Sequence, residues 1–178
     1  MRRIVILLAT FGCATIPPPA SQDDAAGRPV ILTGDRIIEG ERPRASITAL
    51  SVPPSTAWPL VKGAYQALGI DLNVDNPTMH QMGNSNFWRT RTVGPLRMSE
   101  LVECGMGMTG RKADTYRIYM ALLTMVNPDG KGGTSLQTTL TAAGQDMSGT
   151  SSDRIVCGST GKLELTIHDM VKKSVRPY

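Results

Sequence analysis

The chain has 178 residues, of which 40% are hydrophobic and 19% charged, and its formal net charge is +4. This length predicts one domain that can bury an ordinary hydrophobic core. The basic residues are scattered and form no run, so we expect no nucleic-acid partner.

The first residues have the organisation of an export signal. Arg2 and Arg3 form a short positive region, residues 4–11 are largely apolar, and a glycine precedes Cys13. This pattern resembles a bacterial lipoprotein signal, in which a small residue precedes the cysteine that receives the lipid. We therefore predict a signal peptide over residues 1–12 and lipidation of Cys13. The protein would then be anchored in a membrane of the cell envelope, facing the periplasm or the exterior.

One alternative for this segment stays open. Thr10 and Phe11 stand where lipoprotein signals usually have leucine and a small residue, and cleavage after Ala14 would give a freely secreted protein. The apolar run is too short for a transmembrane helix, which needs about 20 residues. Residues 13–28 are rich in proline, alanine, serine and aspartate, which predicts a tether with no packed core.

Periodicity predicts a single α+β domain over residues 29–178. Apolar spacing typical of one helical face predicts a helix over residues 57–68 and an amphipathic helix from Leu163 to Ser174, and residues 95–104 have room for one or two further turns. Alternating or continuous apolar runs predict strands at residues 30–33, 37–38, 45–52, 70–74, 79–82, 87–93, 115–126, 134–147 and 155–157. Hairpin connections favour an antiparallel sheet of about five strands packed against two main helices.

Residues 57–61 and 67–70, followed by alternating strands and an amphipathic helix, resemble the helix-grip domains of envelope lipoproteins. These include the accessory lipoprotein of the outer-membrane barrel-assembly machinery. The resemblance covers about 20 residues and the order of the elements. It implies a helix-grip-like two-layer sandwich and an envelope protein partner, and no functional residue is carried over from it. The domain as a whole is more similar to exported domains with two cysteines and no known activity.

Two cysteines remain if Cys13 carries a lipid. In an oxidising compartment such a pair predicts a disulfide bond, here between Cys104 and Cys157. Each is followed by glycine at a predicted turn, which suits two loops that meet. Two free buried thiols are the alternative. Neither cysteine has a CxxC partner or a nearby histidine, so no metal site is predicted.

Two motifs superficially suggest catalysis or phosphate binding. Ser159 and Lys162 have the S-x-x-K spacing of penicillin-binding proteins and β-lactamases, but the large domain that follows the motif in those enzymes is missing from this sequence. A helix cap is the better interpretation of Ser159. Residues 130–134 are glycine-rich, but they lie between two strand patterns and predict a hairpin loop rather than a phosphate loop.

The remaining candidates also favour ordinary structural roles. His80 and His168 are interpreted as surface or partly buried residues, because sequence shows no converging set of zinc ligands. Met98, Met106 and Met108 form a cluster that could bind copper, but core filling is the preferred interpretation. We therefore predict no catalytic residue, no metal and no cofactor.

These observations favour a non-enzymatic envelope lipoprotein whose domain binds a partner or scaffolds an assembly. The alternative is a carrier that holds a small molecule or a lipid in a cavity between sheet and helix.

Overall fold

The computed structural model of the protein describes residues 30–33, 36–39, 45–149 and 152–175, with the backbone alone described in the first two ranges. The predicted signal peptide, Cys13 and the tether lie outside these residues. The helices are α1 (Pro54–Ala67), α2 (Met98–Leu101), α3 (Lys112–Thr115) and α4 (Lys162–Val175). The strands are β1 (Val30–Thr33), β2 (Arg36–Glu39), β3 (Ala45–Leu50), β4 (Val74–Asn76), β5 (Gln81–Thr90), β6 (Thr92–Val93), β7 (Leu96–Arg97), β8 (Val102–Glu103), β9 (Met106–Gly107), β10 (Gly110–Arg111), β11 (Arg117–Pro128), β12 (Thr134–Gln145) and β13 (Arg154–Ser159).

The main sheet is antiparallel and has seven strands, in the order β4-β5-β11-β12-β13-β8, with β3 also paired to β12. One edge of β12 is shared, because β3 pairs with residues 134–139 and β13 with residues 142–145. The predicted α+β class is confirmed, but the estimate of about five strands was too low. Strands β4 and β8 have three and two residues, too few for the alternating pattern that identifies a strand. Pairs β1–β2, β6–β7 and β9–β10 form separate hairpins, and β1–β2 lies next to β11, β12 and β13.

The longest strands, β11 and β12, form the predicted hairpin. Asp129 shapes its loop, because Oδ1 accepts the N–H groups of Lys131 at 2.7 Å and Gly133 at 2.8 Å. These backbone hydrogen bonds hold the pKa of the Asp129 carboxyl below its usual value. The hairpin interpretation of residues 130–134 is therefore confirmed, although Thr134 is already the first residue of β12.

Helices α1 and α4 pack against each other and against one face of the sheet. Pro54 occupies the first turn of α1, where its missing N–H is not needed, so the helix begins three residues before the predicted start. The buried residues of α4 recur one turn apart, at Leu163, Ile167 and Val171. Opposite them lie sheet residues that are completely excluded from solvent, among them Met82, Ile118, Met120, Leu122, Leu136 and Leu140.

Two predictions around Gly83 were wrong. The predicted break there does not exist, because β5 runs without interruption from Gln81 to Thr90. Gly83 instead has φ +148°, and a Cβ at this position would collide with the carbonyl oxygen of Leu122 on β11. Glycine is needed for this close approach of two backbones, not for a turn. The strand predicted at residues 70–74 was also wrong over residues 70–73, because β4 runs from Val74 to Asn76.

Candidate functional site

The predicted cysteine pair is joined in the structure. The Sγ atoms of Cys104 and Cys157 lie 2.02 Å apart, the length of a disulfide bond, and the Cα atoms 4.4 Å apart. Cys157 belongs to β13 and Cys104 directly follows β8, which pairs with β13. Thr160 strengthens the same junction, because its Oγ1 donates to the carbonyl of Glu100 at 2.6 Å and its N–H to that of Leu101 at 3.0 Å. The disulfide therefore ties α2 and β8 to the main sheet.

Ser159 and Lys162 do not form a catalytic pair. Ser159 Oγ donates to Glu164 Oε1 at 2.6 Å and accepts the N–H of Gly161 at 3.0 Å, whereas Lys162 is exposed. The serine hydroxyl thus holds the start of α4, in agreement with the helix-start interpretation. Within the described residues it makes no hydrogen bond to Lys162, which the S-x-x-K mechanism requires.

Glu164 is a buried carboxylate that the sequence analysis did not identify. It is 0% exposed, and its Oε2 has no hydrogen-bond partner in the described part of the chain. Burial raises the pKa of Glu164, although bonds from Ser159 and from backbone N–H groups, including that of Leu140, partly oppose the rise. Leu140 lies at the point where the edge of β12 changes partner from β3 to β13. The Glu164 carboxylate therefore accepts a hydrogen bond from a backbone N–H of β12 at a position where neither β3 nor β13 pairs with that strand.

His168 belongs to a chain of buried hydroxyl groups. Its Nε2 lies 2.9 Å from Thr138 Oγ1 and its Nδ1 lies 3.0 Å from Thr48 Oγ1. Thr138 continues to Thr124 at 2.8 Å, and Thr124 to the Tyr65 hydroxyl at 3.0 Å. The prediction of a surface or partly buried residue was wrong for His168, which is 0% exposed. It was correct for His80, which is partly buried.

The direction of hydrogen-bond donation along this series of hydroxyl groups fixes the tautomer of His168. The Tyr65 hydroxyl donates to the carbonyl of Leu122 at 3.2 Å, and a carbonyl can only accept. Tyr65 must then accept from Thr124, Thr124 from Thr138, and Thr138 from the Nε2–H of the imidazole. The Nδ1 of the neutral ring is left to accept from Thr48. Burial lowers the pKa of His168 to about 4, so the neutral ring is the resting form.

The buried network does not have the geometry of an active site. No hydrogen bond joins His168 to Ser159 or Glu164, so the described residues contain no serine–histidine–acid relay. Its members are between 0 and 7% exposed, which leaves no path for a substrate. No group of three or more histidine, cysteine or acidic side chains is placed to hold a metal within the described ranges. The network instead fastens α1 and α4 to β3, β11 and β12.

The three methionines of the predicted cluster differ in their exposure to solvent. Met98 is completely buried, as the core-filling interpretation predicts. Met106 is 69% exposed and Met108 is fully exposed, so that interpretation was wrong for these two. The three sulfur atoms thus do not form one site.

The side of the sheet opposite the helices carries an apolar surface, the outer face. The register places Trp88 beside Tyr119, Tyr119 beside Ala143, and Ala143 beside Val156, in one row across four strands, although Ala143 itself is 0% exposed. Ile47 lies on the same side of β3 and is 66% exposed, and Val156 is 37% exposed. Leu123 and Met125 of β11 are partly exposed between them. We use the term outer face for the side chains on this side that are exposed or partly exposed: Ile47, Trp88, Tyr119, Leu123, Met125 and Val156.

Arginines border one end of the outer face. The guanidinium of Arg117 lies 4.8 Å from the ring centroid of Trp88, and that of Arg154 lies 3.8 Å from the ring centroid of Tyr119. Both distances are typical of cation–π contacts. The outer face therefore combines aromatic and aliphatic groups with positive charge, which is the composition enriched in protein interfaces.

A polar cleft of about 960 Å³ adjoins the outer face at β5, and we call it the Trp88 cleft. Its walls are the last turn of α1, including Gln66, the loop at Asp71, and the part of β5 that includes Asn86, Trp88 and Arg89. Sequence reasoning found neither the outer face nor this cleft, because both depend on strand register.

No protein-family model matches this chain, and no curated protein is similar to it. Within the described residues, no helix is long and apolar enough to cross a membrane.

Proposed function

We propose that this protein is a non-enzymatic envelope lipoprotein whose domain binds a protein partner through the outer face. The observation that carries this proposal is the contrast between the core and the surface. Ser159, Glu164 and His168 are bonded within the fold, whereas apolar groups such as Ile47 stay exposed on the outer face. An exposed apolar surface bordered by arginines supports association rather than catalysis.

The carrier alternative has less support. A carrier needs an apolar cavity between the helices and the sheet. At that interface Tyr65, Met82 and Leu122 are 0% exposed, and Tyr65 also donates a hydrogen bond to the sheet. Side chains therefore occupy the space in which a small molecule or a lipid would have to lie.

We expect a photo-crosslinking residue at Ile47 or Val156 to capture a protein in intact cells of the native host. These positions lie on two strands of the outer face, β3 and β13. Leu165 is the matched control, because it is 50% exposed but lies on α4 in the helix layer. The same crosslinked band should form from both outer-face positions and not from Leu165. Equal labelling at all three positions, or none at the outer face, would contradict the proposal.

The membrane anchor is tested separately. Growth with a clickable fatty acid should label the wild-type protein, and Cys13→Ala should remove the label, because that thiol is the proposed acceptor. Cys104 and Cys157 are joined to each other and serve as the internal control, since neither thiol is available for acylation. Label that persists in Cys13→Ala would show that the lipid is attached elsewhere.

A further inference from the structure

Side chains already occupy several backbone groups of the sheet edge that lines the Trp88 cleft, which disfavours strand addition there. On one edge β5 pairs with β11 as far as Thr90, whereas on the other edge β4 pairs only with residues 81–83, so within the described residues no strand covers this second edge beyond Gly83. An uncovered edge normally invites another strand. Here side chains of the protein itself satisfy backbone groups of β5: the N–H of Ser85 bonds to Asn73 (2.8 Å), the N–H of Asn86 to Asn84 (2.9 Å), and the carbonyl of Trp88 to Arg89 (3.0 Å). A ligand of this cleft must therefore be recognised by side chains rather than by a backbone ladder.

The side chains that remain for a ligand are polar and planar. Gln66, Asp71 and Asn86 are exposed, and none of these side chains makes a hydrogen bond to the described residues. Together they offer amide donors, amide acceptors and one carboxylate. Such groups pair well with the hydroxyl groups of a sugar, each of which both donates and accepts one or more hydrogen bonds.

Trp88 adds an aromatic surface. It is 51% exposed, and the guanidinium of Arg117 over its ring leaves the opposite side of the indole for a ligand. The negative face of an aromatic ring attracts the weakly positive C–H groups that line one side of a pyranose. Contact with that side also removes apolar surface from water, whereas the hydroxyls at the rim of the sugar stay available to the amides.

The charge of the cleft favours a neutral ligand. Asp71 contributes a negative charge and Arg89 a positive charge, but the Arg89 guanidinium already donates to the carbonyls of Gly69 at 2.6 Å and Trp88 at 3.0 Å. No concentrated field remains that would select a phosphate or a polyamine.

We propose that the Trp88 cleft binds a neutral oligosaccharide, with a pyranose ring stacked on Trp88 and its hydroxyls bonded to Gln66, Asp71 and Asn86. This site is distinct from protein binding through Ile47 and Val156. Because Trp88 also belongs to the outer face, a glycan bound in the cleft would cover the β5 end of that face and leave Ile47 and Val156 free for a partner.

The test is calorimetric titration of the full chain, kept in a detergent without a sugar headgroup, with chitotetraose, cellotetraose and maltotetraose. We expect saturable binding of at least one tetrasaccharide. Trp88→Ala should weaken that binding at least tenfold, which corresponds to the loss of about 1.4 kcal/mol. Trp58→Phe is the matched control, because Trp58 lies outside the cleft and its Nε1 donates to Asp75 at 3.2 Å. It should bind the sugar as the wild type does.

A second variant covers the case in which Trp88→Ala does not fold. Asn86→Ala removes an exposed side chain that makes no hydrogen bond to the described residues, so it should leave the melting temperature unchanged and still weaken sugar binding several-fold. Absence of saturable binding with all three tetrasaccharides would overturn the proposal. So would binding of an extended peptide in place of the sugars, which would show that the β5 edge accepts a strand.

Discussion

Loss of the Cys104–Cys157 disulfide should lower the free energy of unfolding by about 4 kcal/mol. The bond closes a loop with a sequence separation of 53 residues, and a cross-link of that length removes many conformations from the unfolded chain. Loss of this constraint would leave β8 attached to the main sheet only through its short pairing with β13, while α2 would keep its bonds to Thr160. For a domain of this size we expect the melting temperature to fall by about 8–16 °C.

Urea unfolding of the wild type should be compared with Cys104→Ala, Cys157→Ala and the double variant, all in a Cys13→Ala background. Each single variant already lacks the bond, so all three should be destabilised by similar amounts. The wild type treated with reductant should approach them. Equal stability of the wild type and the double variant, or two reactive thiols in the unreduced native protein, would disprove a stabilising disulfide.

Acid should destabilise the protein through His168, by about 2–3 kcal/mol between pH 6.5 and pH 4. Burial lowers the pKa of the folded ring from 6.5 to about 4, and Lys172 adds to this effect whereas Asp169 opposes it. Over that interval the unfolded chain binds a proton that the folded protein does not. Stability is therefore complete above about pH 6.5 and declines as the pH falls toward 4.

Glu164 changes the pH profile in the opposite sense, so the two groups must be separated. Burial raises the pKa of Glu164, and the cost of burying its charge grows as the pH rises above the unfolded value of 4.5. Protonation of Glu164 in acid thus stabilises the fold while protonation of His168 destabilises it. Urea unfolding of Glu164→Gln at pH 7, 5.5 and 4 should expose the full His168 effect, and Glu164→Gln/His168→Gln should remove it. A Glu164→Gln variant equally stable at pH 7 and pH 4 would rule out the buried neutral imidazole.

Local patterns predicted the parts of the fold that depend on neighbouring residues. The apolar spacing of Leu163, Ile167 and Val171 places α4 to within about one residue of its observed bounds. The residues 130–134 were correctly predicted as a loop because alternation on both sides continues to its ends. The disulfide could be predicted from the number of cysteines. The sequence has three, and once Cys13 is assigned to the lipid, Cys104 and Cys157 remain as a pair.

Features that depend on distant contacts could not be predicted in this way. Gly83 has the sequence signature of a turn, and only the nearness of Leu122 shows that it fills a tight contact between strands. Nothing near His168 in the sequence indicates that it is buried. Its hydrogen-bond partners Thr138 and Thr48 are separated from it by 30 and 120 residues of sequence. One signal was available: Glu164 and His168 are four residues apart on the apolar face of α4. Two polar residues on a buried stripe predict a buried network, although not its partners.

The placement of Glu164 and His168 also bears on when the protein can fold. Strand β12 lies at the centre of the sheet, yet residues 162–175 supply the imidazole bonded to Thr138 and the carboxylate near Leu140. A chain emerging from a ribosome has α1 available to cover β11, but the part of β12 that α4 covers stays exposed until the C-terminal helix is complete. If the protein is exported as we propose, this delay would keep the polypeptide extended during transport, because the stable fold forms only after the sheet and α4 meet.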